Sequence, residues 1–480
     1  MIKPRIVLLL AILGLAASPI LKMHADDAGD AWANKKSGWV LLTPAERHQV
    51  AEFAEDYKAY LDIARTAEGS TREMIRRARA AGFSDFTGAA QVKPGARLII
   101  PDRGRALILA VIGSEPIVEG SHVVGAHHDS PHIDLKARPI YPAGGFALLK
   151  TIYYGAIKKY QWANRPLALL GRIDTTDGRT IDISIGLSSG DPVFVIPDNA
   201  PHSDSELRTR TYTNVLQGEE LDPVAGSIPG EKDTVALEVL KLLTSTYHIK
   251  EEDLVSAELA LVPAARPADV GFDHGLVGAY GQDDRVSSFC AVRALEDLKG
   301  VPSHTALAYL SNFEEVGSVN NTGAGSRFLV STIAQLVSAQ RGPVYGELDL
   351  QRALHNSKVI SADADDGVNP IFPGTEEPSN AARLGYGVAI KLYGGGFNAP
   401  SEYIAQLRAL MDRNNIPWQT QTPKVDVGGG GTIGGFMSRE DMEVIDLGVP
   451  LLSMHAPFEM SSKVDVWNFY RTMSAFYAQP

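Results

Sequence analysis

The sequence predicts an α/β protein whose chain is interrupted by a strand-rich insert. Three observations carry that prediction. Apolar runs too short for helices, at 123–126, 305–310 and 358–362, each end within a few residues of a His, Glu or Asp, as buried strands do when they feed a site at their carboxyl ends. Capped amphipathic segments alternate with those runs. From about Leu135 to Val262 the texture changes to short alternating segments broken by Gly, Pro and Asp, a pattern of half-exposed strands. At 480 residues the chain is long enough for two domains.

At the N-terminus, Lys3 and Arg5 precede an apolar run over 6–17, followed by small residues and Pro19. That order predicts a secretory signal over 1–25 and an exported protein, periplasmic or secreted; without a functional signal the chain would stay cytoplasmic. The run is short for a spanning helix and no other segment is apolar enough to cross a membrane, so no stable membrane association is expected after cleavage. A net charge of −12 argues against a nucleic-acid partner. Cys290 is the single cysteine, which excludes an intrachain disulfide and a cysteine-rich metal cluster. A metal site must then use His, Asp and Glu, a set suited to zinc, cobalt or manganese.

Taken in order, Thr43-Pro44-Ala45-Glu46 is a capping box with proline at the first helical position, predicting a helix to about Ala64. Ser70-Thr71-Arg72-Glu73 repeats the signal, with Arg72, Arg76, Arg77 and Arg79 read as a solvated face. Residues 107–112 read as the first core strand. The strand at 123–126 then meets His127-His128-Asp129-Ser130-Pro131, where in His-x-Asp a histidine can bind a metal while the aspartate fixes its ring. His128 and His132 are read as bystanders. Within the insert, 180–185 and 193–196 read as strands and 234–247 as a helix. Gly186-Leu187-Ser188-Ser189-Gly190 fits a nucleophile pattern, but the strand-like 191–197 that follows cannot supply the helix that pattern requires.

Asp283 leads into a helix over 286–298, a place where an acid is often only a cap. The strand at 305–310 runs into Glu314-Glu315. Alternation along an extended chain would let one glutamate hold a metal while its neighbour faces a metal-bound water; two solvated loop acids are the plain alternative. A strand at 358–363 ends in Asp363, 387–392 is strand-like, 400–413 is helical, and a strand at 449–455 ends in His455. The glycine-rich 428–434 formally contains G-x-G-x-x-G but lacks the early βαβ setting of a dinucleotide site, and reads as a turn giving access to backbone amides. Together His127, Asp283, one of Glu314 and Glu315, Asp363 and His455 supply two histidines and three carboxylates. That is enough for two metals if one aspartate bridges, and such a pair can polarise a carbonyl and activate a shared water.

In His127-x-Asp129-Ser130-Pro131, Asp283-Asp284, Glu314-Glu315-Val316-Gly317-Ser318, Ser361-Ala362-Asp363, Thr432-Ile433-Gly434 and Ser453-Met454-His455, the chain resembles the aspartyl aminopeptidase / aminopeptidase I family of dinuclear zinc exopeptidases, closest to its bacterial branch. The resemblance runs from roughly Asp26 to the C-terminus. It implies a mixed-sheet zinc-exopeptidase (phosphorylase/hydrolase-like) catalytic domain over 26–137 and 263–480, split by a dimerisation insert over 138–262. It further implies two divalent metal ions, zinc by family, with Asp283 bridging them, His127 and Asp363 completing one and Glu315 and His455 the other. Glu314 would be the general base acting on a bridging hydroxide, Asp129 would orient His127, and His202 would reach the neighbouring subunit's site. Peptides with a free N-terminus are the implied substrates, and dimers assembling into a tetrahedral dodecamer the implied state. Phe313 stands where many members carry histidine, and Gly281-Gln282-Asp283-Asp284-Arg285 where others have Leu-Asp-Asn. The rivals on the same ligands are a deacylase or carboxypeptidase, and a non-catalytic assembly protein with a structural metal; the spare Glu314 argues against the last.

Overall fold

A computed structural model describes residues 35–88, 92–231, 234–394, 398–427 and 430–480. The expected signal over 1–25 and the first two glycines of the 428–434 run lie outside the described residues. The unit Ser37–Pro480 is built on a nine-stranded mixed sheet. Its order is Ser84–Asp85, Arg97–Asp102, Ala106–Val111, Thr305–Ser311, Ser121–His127, Lys358–Ala362, Glu443–Gly448, Val388–Lys391, Trp418–Gln421.

The central strands are apolar without interruption because both faces of the sheet are covered. Alternate residues of one strand enter different cores, as side chains of an extended chain must. Leu107, Leu109 and Val111 pack with the helices Pro44–Ile63, Gln282–Glu296 and Lys463–Tyr477. Ile108 and Ala110 pack with Phe328–Arg341 and Glu347–His355 on the opposite face. Thr43 caps the first helix as expected, its side chain accepting from Glu46 N at 3.3 Å while Glu46 accepts from Thr43 N at 2.8 Å. No described helix is long and apolar enough to cross a membrane.

Three local expectations are corrected. The second helix is Ala67–Ala80, a turn earlier than expected, because Thr66 takes the cap through Gly69 N at 3.0 Å. Ser70 is then an interior residue facing Tyr60 Oη at 2.7 Å. Its arginines are not one solvated face: Arg77 is half-buried and forks onto Asp56 with two bonds of 2.8 Å. Residues 193–196 make only isolated bridges, Phe194 with Leu167 and Val195 with Val224, since the flanking Pro192 and Pro197 remove ladder donors.

A second sheet occupies the insert, in the antiparallel order Thr180–Ile185, Leu167–Asp174, Ala257–Pro263, His132–Ala143, Phe146–Tyr154, Val224–Gly226. It has its own core around Trp162, Leu167 and Leu261. The expected start at 138 falls inside its strand His132–Ala143, so this sheet begins directly after the His127 motif. The helix Val235–Tyr247 is capped by Thr234. Ser188 sits in a turn where Asp191 accepts from Gly186 N and Ser188 N at 3.1 and 2.9 Å, with no helix behind it. A third, five-stranded sheet has the order Ala268–Val270, Leu276–Ala279, Glu459–Ser462, Pro450–Leu452, Asp365–Asp366.

Candidate metal centre

Three neighbouring parallel strands deliver the first candidate ligands. Ser311 is level with His127, and Ser361 with Gly125, so Glu314, Glu315, His127 and Asp363 all leave the large sheet at one edge. Brought there by its topology, they meet two residues from the five-stranded sheet. Leu276–Ala279 runs antiparallel to Glu459–Ser462, which runs antiparallel to Pro450–Leu452. Asp283 follows the first of these strands, and His455 lies in the connection between the other two. His455 therefore does not end a strand of the large sheet as expected. Residues 443–452 split at Val449, before a proline, and the two halves enter different sheets.

The alternating arrangement expected for Glu314 and Glu315 is also corrected. Phe313 turns into the left-handed region at φ 60°, and Glu314–Val316 is one 3₁₀ turn. Both carboxylates face the centre from that turn, Glu314 Oε2 4.0 Å from His127 Nε2 and Glu315 Oε2 3.4 Å from His455 Nε2.

Asp283 stands between the two histidines. Its Oδ1 lies 3.4 Å from His127 Nε2 and its Oδ2 3.1 Å from His455 Nε2. Asp363 Oδ1 lies 3.6 Å from His127 Nε2. Each histidine spends its other nitrogen elsewhere: His127 Nδ1 donates to Asp129 O at 3.1 Å, and His455 Nδ1 to Ala156 O at 2.8 Å. Each Nε2 faces carboxylates, an arrangement satisfied by a proton on the ring or by a metal cation between the atoms. Asp283 Oδ1 and Glu315 Oε1 are buried with no hydrogen-bond partner, and ligand atoms of His127, Asp283 and Glu315 lie within 4.8 Å of one another. Buried orphan acceptors among imidazole nitrogens fit divalent metal. Ligand atoms of His127, Asp284 and Asp363 are equally close, but Asp284 is occupied. Its Oδ2 accepts from His127 N at 3.4 Å, and its Oδ1 from Ala364 N at 3.1 Å and from Ser287 Oγ.

The electrostatics follow from burial and crowding. Burial opposes charge on His455, but Asp283 and Glu315 overcome it and raise the imidazole to about 10. Burial would raise Asp283, yet bonds from His127 and His455 hold its carboxyl well below the usual range. Burial, reinforced by the charge of Asp283, lifts Glu315 well above it. For Glu314, burial with the charges of Asp363, Asp283 and Asp129 outweighs His127 and lifts the carboxyl to about 7.

Asp129 supports several of these groups at once. It accepts from Tyr154 Oη at 2.6 Å, Glu315 N at 3.2 Å and Glu314 N at 3.3 Å, and its Oδ1 lies 3.3 Å from His127 Nδ1. Despite its burial, these donors hold it down to about 2. Tyr154 had no signal in the sequence. Glu459 had a weak one, four residues past His455; it accepts from His455 N at 2.7 Å, Gln282 N at 2.5 Å and Asp283 N at 3.2 Å. Lys391 was missed as well, its Nζ 3.6 Å from Asp363 Oδ2. His128 is buried on Arg105 O at 2.8 Å, and His132 bonds Asp134 at 2.9 Å, bystanders as expected. His202 is exposed on the insert and does not join the cluster. The cluster opens into a cleft of ≈ 410 Å³ whose walls include Asp365, Asp366, Glu376, Lys391, Gln421, Gly430 and Met454.

Residues 60–477 match the family described as Aminopeptidase I zinc metalloprotease (M18). The chain is 39% identical over 456 residues to the probable M18 family aminopeptidase 1 of Borrelia garinii subsp. bavariensis, covering 93% of this chain and 100% of that one. It matches the crystal structure of an M18-family aminopeptidase from Thermotoga maritima with a TM-score of 0.87 at 37% identity, covering 93% of this chain and 99% of that one. A solved S. cerevisiae mApe1 dodecamer is similar in fold, with a TM-score of 0.73 at 20% identity, covering 88% and 96%.

Proposed function

This chain belongs to the aminopeptidase I zinc metalloprotease (M18) family and is a metal-dependent aminopeptidase; we propose that it works with two divalent ions bridged by Asp283. The supporting observation is that the two oxygens of this one carboxylate face different histidines, at 3.4 and 3.1 Å. His127 and Asp363 would complete one ion's ligands, and Glu315 and His455 the other's. Zinc is the family's metal, and the His/carboxylate set also accepts cobalt or manganese. When bound, the ions supply a Lewis acid for the scissile carbonyl and lower the pKa of a shared water.

The rest falls to the chain itself. Glu314, 4.0 Å from His127 Nε2 at the edge of the cluster, takes the proton of the attacking water and passes it to the leaving amine, the work of a general base. Asp129 is a positioning residue, holding the His127 ring and the Glu314–Glu315 backbone in one frame. His202 is assigned to the oxyanion in a neighbouring subunit, in keeping with its exposure on the insert. Exposed Ile152, Tyr153, Leu242 and Val255 on the same insert support its use in dimerisation, and dimers would build a homo-oligomer, the dodecamer of the yeast relative being the expected size. Export through the 1–25 segment completes the proposal; cell fractionation tests it, and a wholly cytoplasmic product would reject it.

Metal-reconstituted protein should hydrolyse aminoacyl p-nitroanilides with a free amine and leave N-acetylated and carboxypeptidase substrates intact. Cleavage of blocked substrates alone would overturn the reading.

A further inference from the structure

We infer that Gly430 and Gly431 form the wall against which the main chain of a bound peptide lies, with Thr432 as the positioning residue that holds this wall in place. The inference rests on the aminopeptidase reading and assigns how that site holds its substrate. Both glycines are exposed in the cleft beside the metal centre, and the chain itself requires glycine at neither position. Neither has a positive φ, and a Cβ on either would meet no described atom within 4 Å. Gly434 is the contrast: a Cβ there would fall 2.7 Å from Asp446 Oδ1 and 3.1 Å from Ser361, so packing alone demands it. The main chain of Gly430 and Gly431 is also unengaged, making no hydrogen bond among the described residues. Its amide and carbonyl groups are open to pairing with an extended peptide. Two uses of glycine remain at such positions, loop motion and the close approach of a ligand to the backbone.

The anchoring of the segment argues for the second use. Thr432 Oγ1 donates to Asp446 Oδ1 at 2.8 Å and accepts from Ser361 Oγ and Gly434 N, each at 3.2 Å, which spends the whole capacity of one hydroxyl. Asp446 and Ser361 are buried and level with each other on neighbouring strands of the large sheet, and Ser361 lies two residues before Asp363. Ile433 and Met437 pack onto Gly125, where a Cβ would fall 3.2 and 3.0 Å from them, two residues before His127. The wall is therefore fixed to the strands that lead to His127 and Asp363, and shares one frame with the metal centre. A contact to main chain is blind to the side chain, so it serves every N-terminal residue the cleft admits.

In the metal-loaded full chain, Gly431→Val should raise KM by about tenfold, the worth of one hydrogen-bonded contact, and by the same factor for every aminoacyl p-nitroanilide cleaved. Gly431→Ala should fall between it and the wild type. Turnover number, metal content and urea midpoint should hold, because the new Cβ meets no described atom. Thr432→Val should raise KM likewise, and Thr432→Ser, which keeps the hydroxyl, should restore it. Metal-loaded Glu314→Gln protein titrated calorimetrically with Leu-Gly-Gly should bind more tightly, by a similar factor, than the same protein carrying Gly431→Val. Wild-type KM in Gly431→Val, a rise confined to one N-terminal side chain, or a fall in kcat at constant KM, which would assign the glycines to loop motion, would overturn the inference. Failure of the unmodified protein to cleave any aminoacyl substrate would instead remove the aminopeptidase reading, and the calorimetric pair would still decide whether peptide main chain meets this wall.

Discussion

Replacing Asp129 by asparagine should weaken metal binding without touching a metal ligand. The aspartate is 3% exposed and its two oxygens divide their work. Oδ1 serves His127 Nδ1 at 3.3 Å and Glu314 N at 3.3 Å, whereas Oδ2 serves Tyr154 Oη at 2.6 Å and Glu315 N at 3.2 Å. Asparagine has one oxygen, so its NH₂ must face one of these pairs. Facing Oδ1's partners would set it against two N–H donors. Facing Oδ2's partners is better, because the Tyr154 hydroxyl can rotate to accept, leaving Glu315 N alone unsatisfied. One buried donor without a partner costs about 1–3 kcal/mol, and loss of such an anchor beside a ligating histidine weakens metal affinity about 10–100-fold. Competition against a chelator of known affinity reads the second figure directly. Adding Tyr154→Phe removes the compensating acceptor, so the double variant should bind metal more weakly than either single one. Wild-type affinity in Asp129→Asn would refute the argument, because the His127 ring and the Glu314–Glu315 turn would then be held by something else.

Glu314→Gln should lower kcat by about 10²–10⁴ while metal content, read by elemental analysis, stays at the wild-type level; undiminished turnover would dismiss Glu314 as the base. His122 gives a stability prediction away from the site. Burial, with the nearby His304 and Lys358, lowers its imidazole to about 4, below the unfolded value of about 6.5. The fold therefore favours the neutral ring, and that contribution is intact above pH 6.5 and lost as pH falls toward 4, worth about 3 kcal/mol in all. His122→Leu should thus gain on the wild type by that order between pH 7.5 and 4.5 in urea unfolding; a parallel pH dependence would reject it. Phe289→Ala removes a fully buried ring packed against Phe53, Tyr57 and Tyr60 at centroid distances of 5.2–5.4 Å. Chemical denaturation should show a loss of about 3–5 kcal/mol, and a loss under about 1 kcal/mol would contradict the packing.

How much of this was legible in the sequence differs by residue, for physical reasons. The strands carrying His127, Glu314 and Asp363 could be read because a strand covered on both faces is apolar throughout, and the expected 358–363 strand differs from the observed Lys358–Ala362 by one residue. Thr43's cap was legible because capping is a local bond between residues three apart. The start of the second helix was misread since Thr66 and Ser70 both offer hydroxyls, and the choice was made by Tyr60, a tertiary neighbour. His455's origin in a second sheet depends on pairing with Glu459–Ser462, which no local pattern encodes. Tyr154 and Lys391 reach the site from other strands, at positions where tyrosine and lysine are unremarkable in sequence. The proposed role of His202 involves a neighbouring subunit and so lies beyond what one chain's fold encodes.

The supporting carboxylates explain why ligands from such distant segments stay together. Asp284 binds the backbone of His127 and Ala364, Asp129 that of Glu314 and Glu315, and Glu459 that of Gln282, Asp283 and His455. Each acid thus fixes main chain next to a ligand, so ligand positions are set by the backbone before any ion is considered. The cost is a concentration of negative charge: Asp129, Asp283, Asp284, Glu314, Glu315, Asp363 and Glu459 crowd together with Lys391 as the nearby lysine. Unpaired buried charges cost several kcal/mol apiece, so the centre is stable only with protons or cations among these oxygens. The orphaned oxygens of Asp283 and Glu315 lie where the supporting acids leave no donor to reach them. A frame that satisfies its anchors and leaves the proposed ligands short of hydrogen bonds suits cations, which is why the proposed ligand set and the supporting acids are read as one device.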